Sequence, residues 1–193
     1  MKTNPDRTAQ ALSSCQTKGE LGTVIGTVIE QYSGYELQVI STRIRREVDC
    51  LPNPYREAFR PYADEWLFGR HHRLLVLKRN SRFAGMSDPI SDRETFLAFC
   101  AMIPNGCKTA TEEQPHDNLP RRTETDQLFY YLLSAFTMFV LDEPGHPIGT
   151  PFPGGFRVKK ENGEILCPIR DKEEEILHSI CNFCPAVQDP ANL

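Results

Sequence analysis

Three cysteines near the C-terminal end of the sequence have the spacing of metal ligands. They are Cys167, Cys181 and Cys184, which form a C-x13-C-x2-C pattern. Thiolates gathered from separate short segments are ligands that zinc sites and iron–sulfur clusters share. Cys181 and Cys184 stand three residues apart, so both would face one ion if they lay on a helix. The alternative is that all three are buried residues without a ligand, because free cysteine is often part of a core.

Two residues could supply the fourth ligand. Cys50 lies at the predicted end of a helix, shortly before a proline, where a side chain can project away from the helix. His146 begins the loop that precedes the three cysteines, and it would complete a zinc site of three cysteines and one histidine. We rank Cys50 first and His146 second. Cys100 lies on an apolar helix face, whereas Cys15 and Cys107 lie in segments predicted to be mobile.

The loop that begins at His146 is rich in proline and glycine. Residues 144–155 hold four prolines and four glycines. Prolines fix φ and glycines permit positive φ, so this composition predicts a rigid loop with an unusual path. Its backbone amides could hold an anion or a cofactor. The candidate positions are Gly149, Thr150, Gly154 and Gly155. The alternative, which we favour, is a packing support for the hairpin and the cysteines.

Composition limits the class of protein. The chain has 193 residues, of which 39% are hydrophobic and 25% charged, and its formal net charge is −4. This is the balance of one globular domain. A mildly acidic chain argues against binding to nucleic acid, which needs a basic face. The longest apolar run, 128–141, is too short to span a bilayer. We therefore expect a cytoplasmic protein with reduced cysteines and no membrane contact, and a protein partner stays open.

The spacing of apolar residues is mostly helical. Steps of three and four predict amphipathic helices over 21–29 and 37–51. Further helices are predicted after Pro54 and after the Ser91 capping box, the latter ending at Pro104. The most hydrophobic segment, 128–141, is apolar on nearly every side. We expect it to be the central helix against which the others pack.

The C-terminal part has a different pattern. Asn162-Gly163 is a strong turn signal and predicts a hairpin over about 156–167. Asp171 could cap a last helix that carries Cys181. The predicted fold class is therefore mainly α, a helical bundle around a central hydrophobic helix (about 128–141) with one small C-terminal β-hairpin (about 156–167).

The chain is expected to form one domain over 1–193. Within it, residues 1–18 are polar and predict a frayed tail. Residues 107–122 contain almost no apolar side chain and predict a mobile surface loop. Residues 146–188 form the subregion that would hold the metal.

The motif residues resemble a known family. The run His146-Pro-Ile-Gly-Thr-Pro-Phe-Pro-Gly-Gly, followed by Cys167-Pro168 and Cys181-x2-Cys184, is similar to the C-terminal signature of an uncharacterised archaeal family found mainly in methanogens. The segment Cys50-Leu-Pro-x-Pro-Tyr-Arg resembles the N-terminal half of that family. Because the family has no established activity, the resemblance implies an anaerobic, reducing cytosol and no mechanism. That setting favours an iron–sulfur cluster over zinc.

The sequence thus predicts a cytoplasmic metal-binding protein. The first choice is a [4Fe–4S] cluster on Cys50, Cys167, Cys181 and Cys184, with a role in electron transfer, cluster delivery or redox sensing. One alternative is a structural zinc site in a protein whose surface contacts a partner. Another is an enzyme with His146 as base and the loop amides as anion holders. This alternative is the weakest of the three, because no paired carboxylates and no nucleophile–base pattern stand near the loop. Whether the protein is an enzyme is left open.

Overall fold

The computed structural model describes residues 3–112 and 121–192 of the chain. These residues form a mainly helical fold with a three-stranded sheet near the C-terminal end, which confirms the predicted fold class. The helices are α1 (Pro5–Ser13), α2 (Lys18–Ile29), α3 (Gly34–Asp49), α4 (Tyr55–Asp64), α5 (Arg70–Arg79), α6 (Arg93–Glu112) and α7 (Glu124–Ala135). The strands are β1 (Lys159–Glu161), β2 (Glu164–Cys167) and β3 (Val187–Gln188). A π-helical turn, Glu65–Gly69, joins α4 to α5, and another, Phe136–Val140, extends α7.

Side-chain caps set the starts of the two amphipathic helices predicted near the N-terminus. The Thr17 hydroxyl accepts a hydrogen bond from the Glu20 backbone N–H, and the Glu20 carboxylate accepts one from the Thr17 N–H. Ser33 and Glu36 form the same reciprocal pair at the start of α3. Such capping boxes satisfy N–H groups that have no partner in the first helical turn. Helices α2 and α3 confirm the two predicted helices.

The predicted central helix is the centre of the core. From Gln127 to Val140 every residue except Tyr130 is buried. The Phe139 ring lies 5.1 Å from the Phe96 ring of α6, measured between centroids, and the Phe136 ring lies 6.3 Å from that of Phe83. The apolar sequence is thus explained by contacts on several sides, as expected of a helix surrounded by others.

The prediction of a frayed tail over 1–18 is wrong for residues 5–13. These residues form α1, and the Asn4 side chain caps the helix by accepting a hydrogen bond from the Arg7 N–H at 2.9 Å. Leu12 is fully buried, and Arg93 donates to the Ser13 carbonyl at 2.7 Å. Burial of Leu12 and the hydrogen bond from Arg93 therefore hold this mostly polar segment against the rest of the protein.

The predicted helix end at Pro104 and the predicted loop from 107 are also wrong. Helix α6 continues through Pro104 to Glu112, and Cys107 lies buried in the main core. Pro104 removes one backbone hydrogen bond, which costs about 3 kcal/mol inside a helix. The buried face of α6, which includes Phe99 and Ile103, offsets that loss through packing. Residues 113–120 of the predicted loop lie outside the described residues.

The C-terminal region forms the predicted hairpin but lacks the predicted last helix. Strands β1 and β2 pair antiparallel around Asn162 and Gly163, both with positive φ. Short 3₁₀ turns, Asp171–Glu173 and Ile180–Phe183, replace the helix expected after Asp171. Strand β3 then pairs parallel to β2, which the sequence did not predict. Its two residues are too few for a strand pattern to be visible.

None of the helices in the described ranges is long and apolar enough to cross a membrane.

Candidate functional site

The loop after the central helix is held in place by its own backbone. Gly149 donates its N–H to the Val158 carbonyl at 2.7 Å, and Val158 donates back to the Thr150 carbonyl at 3.0 Å. Gly149 has φ +90°, and a Cβ at this position would lie 2.8 Å from the Tyr62 hydroxyl oxygen. Both the backbone angle and the close approach of Tyr62 therefore require glycine there. The loop thus has the internal hydrogen bonds and the positive-φ glycine that a path of this kind needs.

These hydrogen bonds limit the loop as an anion site. The amides of Gly149 and Thr150 both donate to carbonyls of the loop, Thr150 to Pro147 at 3.1 Å. Gly154 and Gly155 lie in an exposed turn, both with positive φ. Two of the four positions predicted to bind a cofactor thus have internal partners. This favours the packing role that the sequence analysis weighed against anion binding.

The three C-terminal cysteines line one small cavity. Cys167 ends β2, Cys181 lies in the second 3₁₀ turn, and Cys184 follows that turn directly. The cavity has a volume of about 10 Å³, and Gly145 and His146 of the loop also line it. Cys167, Cys181, Cys184 and His146 therefore lie around the same cavity.

Backbone N–H groups donate to two of these sulfurs. The Gly145 N–H donates to Cys184 Sγ at 3.3 Å. The N–H groups of Ile169 and Arg170 donate to the sulfur of Cys167, which lowers its thiol pKa in opposition to burial. Burial is the larger effect: it raises the pKa of Cys167, and it raises that of Cys181 to about 11. The thiols of Cys167 and Cys181 are thus protonated at neutral pH, although donors are already in place for thiolates.

The thiols do not form a finished ligand set. Within 3–112 and 121–192, no group of three or more His, Cys, Asp or Glu side chains is arranged to hold a metal ion. An ion would have to displace the protons from Cys167 and Cys181 and draw their sulfurs and that of Cys184 together. Coupling of this kind between metal binding, deprotonation and local structure is common in thiolate sites.

The two candidates for a fourth ligand have different positions. His146 is partly buried, with its ring edge-on to Phe152 at a centroid distance of 5.5 Å. Burial and the nearby Arg70 guanidinium lower the pKa of His146 to about 4, so its imidazole is neutral at pH 7. Cys50 is exposed at the end of α3 and is not among the residues that line the cavity. The structure thus brings His146, the second choice, to the cysteines.

The remaining cysteines belong to the main core. Cys15, Cys100 and Cys107 are all buried there. The core position of Cys100 was predicted. The mobile surroundings predicted for Cys15 and Cys107 are wrong, because α1 and the last turns of α6 enclose them.

A larger pocket, which the sequence analysis missed, lies next to the cysteine cavity. Its volume is about 270 Å³, and its walls come from α3, α4 with the following π turn, the start of α7 and the loop from His146 to Thr150. His146 lines both cavities. The sequence signal for it is a pair of apolar stripes at helical spacing, one on α3 and one on α4.

Two arginines and two carboxylates line this pocket. Arg43 is 5% exposed and pairs with Asp126, and Arg43 Nη2 donates to the Arg121 carbonyl at 2.8 Å. Arg122 Nη2 donates to the Glu47 carboxylate at 3.1 Å. Both carboxylates thus have arginine partners. These four charged side chains form the main polar region of a pocket whose other walls are mostly apolar.

Comparison with known families gives a relationship without an activity. A family model described as "Uncharacterized protein conserved in archaea (DUF2115)" matches residues 17–189. This agrees with the resemblance to an uncharacterised archaeal family. No solved structure matches the chain.

Similar curated proteins come from methanogens and are named UPF0305 proteins. One from Methanothermobacter thermautotrophicus is 46% identical over 59 residues, covering 31% of this chain and 38% of that protein. One from Methanopyrus kandleri is 41% identical over 63 residues, covering 33% of this chain and 44% of that protein. These matches span less than half of each relative. A protein from Methanocaldococcus jannaschii is 22% identical over 157 residues, covering 81% of this chain and 87% of that protein.

Proposed function

We propose that this chain, which belongs to the archaeal family DUF2115, binds one metal ion through the thiolates of Cys167, Cys181 and Cys184 and the imidazole of His146. The description of the family names no activity, so the proposal rests on the residues of the site. The ion is zinc, and its role is to close the C-terminal region onto the helical bundle.

The observation that carries the proposal is the shared cavity of about 10 Å³. Three thiols from a strand end and a 3₁₀ turn line it together with a neutral imidazole, and one nitrogen with three sulfurs is a common ligand set of structural zinc sites. A volume near that of one water molecule suits a single ion. A cluster of four irons and four sulfides would need a larger space, so the cavity favours zinc over the iron–sulfur cluster predicted from the sequence.

Charge supports the same site. Three thiolates and one divalent cation leave one negative charge, and two arginines stand near it. Burial lowers the pKa of Arg70, and nearby negative groups, among them Cys184, oppose that effect; Arg170 lies beside Cys167. Arg170 lines the cavity, and its buried Nε has no hydrogen-bond partner among the described residues. Such donors stabilise bound thiolates.

The C-terminal region has a small core of its own. Its separate hydrophobic cluster contains only three buried residues, Val158, Cys167 and Ala186, and its strands have two to four residues. A small region with so little apolar burial often depends on a metal or a disulfide. Cys184 packs against both this cluster and the main core. An ion at Cys184 would therefore stabilise the contact between the two.

The first experiment is metal analysis of protein purified without oxygen. We expect one zinc per chain and a colourless solution. Iron with sulfide and broad absorbance near about 400 nm would instead favour the cluster. Failure to bind zinc or cobalt in stoichiometric amounts would reject the metal site.

Single variants identify the ligands, with cobalt(II) as a spectroscopic probe of thiolate binding. Cys181→Ser and His146→Ala should lose most of the cobalt–thiolate charge-transfer absorption or weaken binding strongly. Cys50→Ser is the matched control, because it also removes one thiol, and it should bind metal as the unmodified protein does. Loss of metal in Cys50→Ser together with full binding in His146→Ala would replace this ligand set with the four cysteines predicted from the sequence.

A further inference from the structure

We propose that the pocket between α3, α4 and the start of α7 binds a small organic carboxylate with an apolar body. This site is separate from the metal site, although His146 lines both cavities. The inference does not depend on metal binding.

The shape and walls of the pocket fit an apolar body of ring size. The cavity of about 270 Å³ is close to the lower end of the range for small-molecule sites. Ile40, Ile44 and Val48 line it from α3, and Phe59 and Trp66 line it from the opposite side. Ligand pockets of this kind combine apolar walls with a few polar groups that fix orientation.

Arg43 is the residue that favours a ligand with an acid group. Its guanidinium is almost fully buried, and its Nη atoms donate to Asp126 and to the Arg121 carbonyl. Its Nε has no hydrogen-bond partner among the described residues. A buried donor on a cation is costly when it has no acceptor. Nε has almost no accessible surface, so a ligand oxygen would accept from it only where the side chains around Arg43 shift on binding; an anionic oxygen would form the stronger hydrogen bond.

The other charged groups favour an anion over a cation. Asp126 accepts hydrogen bonds from Arg43 and from the Thr123 N–H, and Glu47 accepts from Arg122. Both carboxylates are therefore already satisfied. Arg122 is 42% exposed and lies at the pocket, where it adds a second positive charge near an incoming acid. Among the charged groups of the pocket, the donor left without an acceptor is Arg43 Nε, and an acid group on a ligand offers one.

Trp66 makes binding measurable, because it is the only tryptophan of the chain and lines the pocket. Three probes with the same phenyl body are titrated against its fluorescence: phenylbutyrate, phenylbutanol and phenylbutylamine. Phenylbutyrate should give a saturable change, phenylbutanol should bind about tenfold more weakly, and phenylbutylamine should bind weakest. Equal binding of the three, or no saturable response to the acid up to about 10 mM, would overturn the proposal.

Variants separate the acid-binding end from the apolar walls. Arg122→Gln should weaken phenylbutyrate about three- to tenfold and leave phenylbutanol unchanged. Ala63→Phe fills the pocket and should abolish binding of both. Arg46→Gln is the matched control: it removes an exposed arginine from α3 that does not line this pocket, and it should bind as the unmodified protein does. Unchanged binding of the acid in both Arg122→Gln and Ala63→Phe would reject the site.

Arg43→Lys tests the unpartnered nitrogen directly, because it keeps the charge and removes Nε. If the folded variant binds phenylbutyrate as tightly as before, the role of Arg43 is wrong. If Arg43→Lys does not fold, the Arg122→Gln and Ala63→Phe variants still test whether the acid binds in this pocket. The titration is repeated with Cys181→Ser, in which binding of phenylbutyrate should persist. Failure of the metal site and failure of the pocket are therefore seen separately.

Discussion

Arg70 on α5 donates from Nη1 to the carbonyl of Gly145 at 3.1 Å, across the junction between the helical bundle and the C-terminal region. Its Nη2 donates to the preceding carbonyl, that of Pro144, at 3.2 Å. The N–H of Gly145 in turn donates to Cys184 Sγ. One buried arginine thus fixes the peptide groups that contact the cysteine cavity. Burial lowers the pKa of Arg70 to about 10, so it is still charged at neutral pH.

Arg70→Met should therefore destabilise the loop. The substitution leaves two buried carbonyls without their donor, at a cost of about 1–3 kcal/mol in the free energy of unfolding. Hydrogen exchange should also show loss of protection at the Gly145 and Gly149 amides. Arg73→Met is the control, since Arg73 is 50% exposed and pairs only at the surface with Glu143. An equal loss of stability in both variants would show that the buried hydrogen bonds of Arg70 contribute no more to the free energy of unfolding than the surface ion pair of Arg73.

Close packing of α6 on α7 gives a second prediction. A Cβ at Gly106 would lie 2.3 Å from the Tyr131 hydroxyl oxygen, and both residues are buried. Gly106→Ala should therefore lower the free energy of unfolding by about 1–3 kcal/mol, measured by urea denaturation. Gly34→Ala is the control in another helix: nothing lies within 4 Å of its added Cβ. That variant should be neutral or more stable by up to about 1 kcal/mol. Gly106→Ala as stable as Gly34→Ala would contradict this packing.

The helices that the sequence predicted share a strong local signal. Helices α2 and α3 combine a capping box with apolar residues at steps of three and four, and α7 is apolar on nearly every side. Asn162-Gly163 marked the hairpin turn for a similar reason, because few residues adopt its positive φ values. In these places local preference and tertiary packing agree.

Segments with weak local signals were predicted less well. In α1, one buried leucine, Leu12, and contacts from Arg93 order a polar segment, and neither is visible as periodicity. In α6, packing outweighs Pro104. The sequence singled out residues that line the cysteine cavity because they lie close together in the chain. The larger pocket could not be predicted, because α3, α4, α7 and the loop meet there only in the folded chain.

Thiol reactivity gives a third prediction. Cys50 is the exposed cysteine, whereas Cys100 and Cys107 are buried in the main core. Brief alkylation with iodoacetamide, read by peptide mass spectrometry, should modify Cys50 first and leave the two core cysteines largely unmodified. If zinc binds as proposed, it should slow modification of Cys184, the least buried of the three cavity cysteines. Rapid labelling of Cys100 in native protein would contradict its core position.

The last prediction concerns alkaline pH and Cys100. Burial raises its pKa from 9.0 to about 12. Between these values the unfolded chain loses the thiol proton while the folded chain keeps it, so the unfolded state binds fewer protons. Stability from this group is therefore complete below pH 9 and is lost as pH rises towards 12, at up to about 1.4 kcal/mol per pH unit. Cys100→Ala should remove this contribution to the slope of the free energy of unfolding, measured by urea denaturation from about pH 9 to about pH 11.

Ile103→Val is the control, because it also removes buried volume from α6 but cannot titrate. Both variants should be less stable at pH 7, and only Cys100→Ala should show a shallower decline at high pH. The same decline in both variants would mean that Cys100 loses its proton as readily in the folded chain as in the unfolded one.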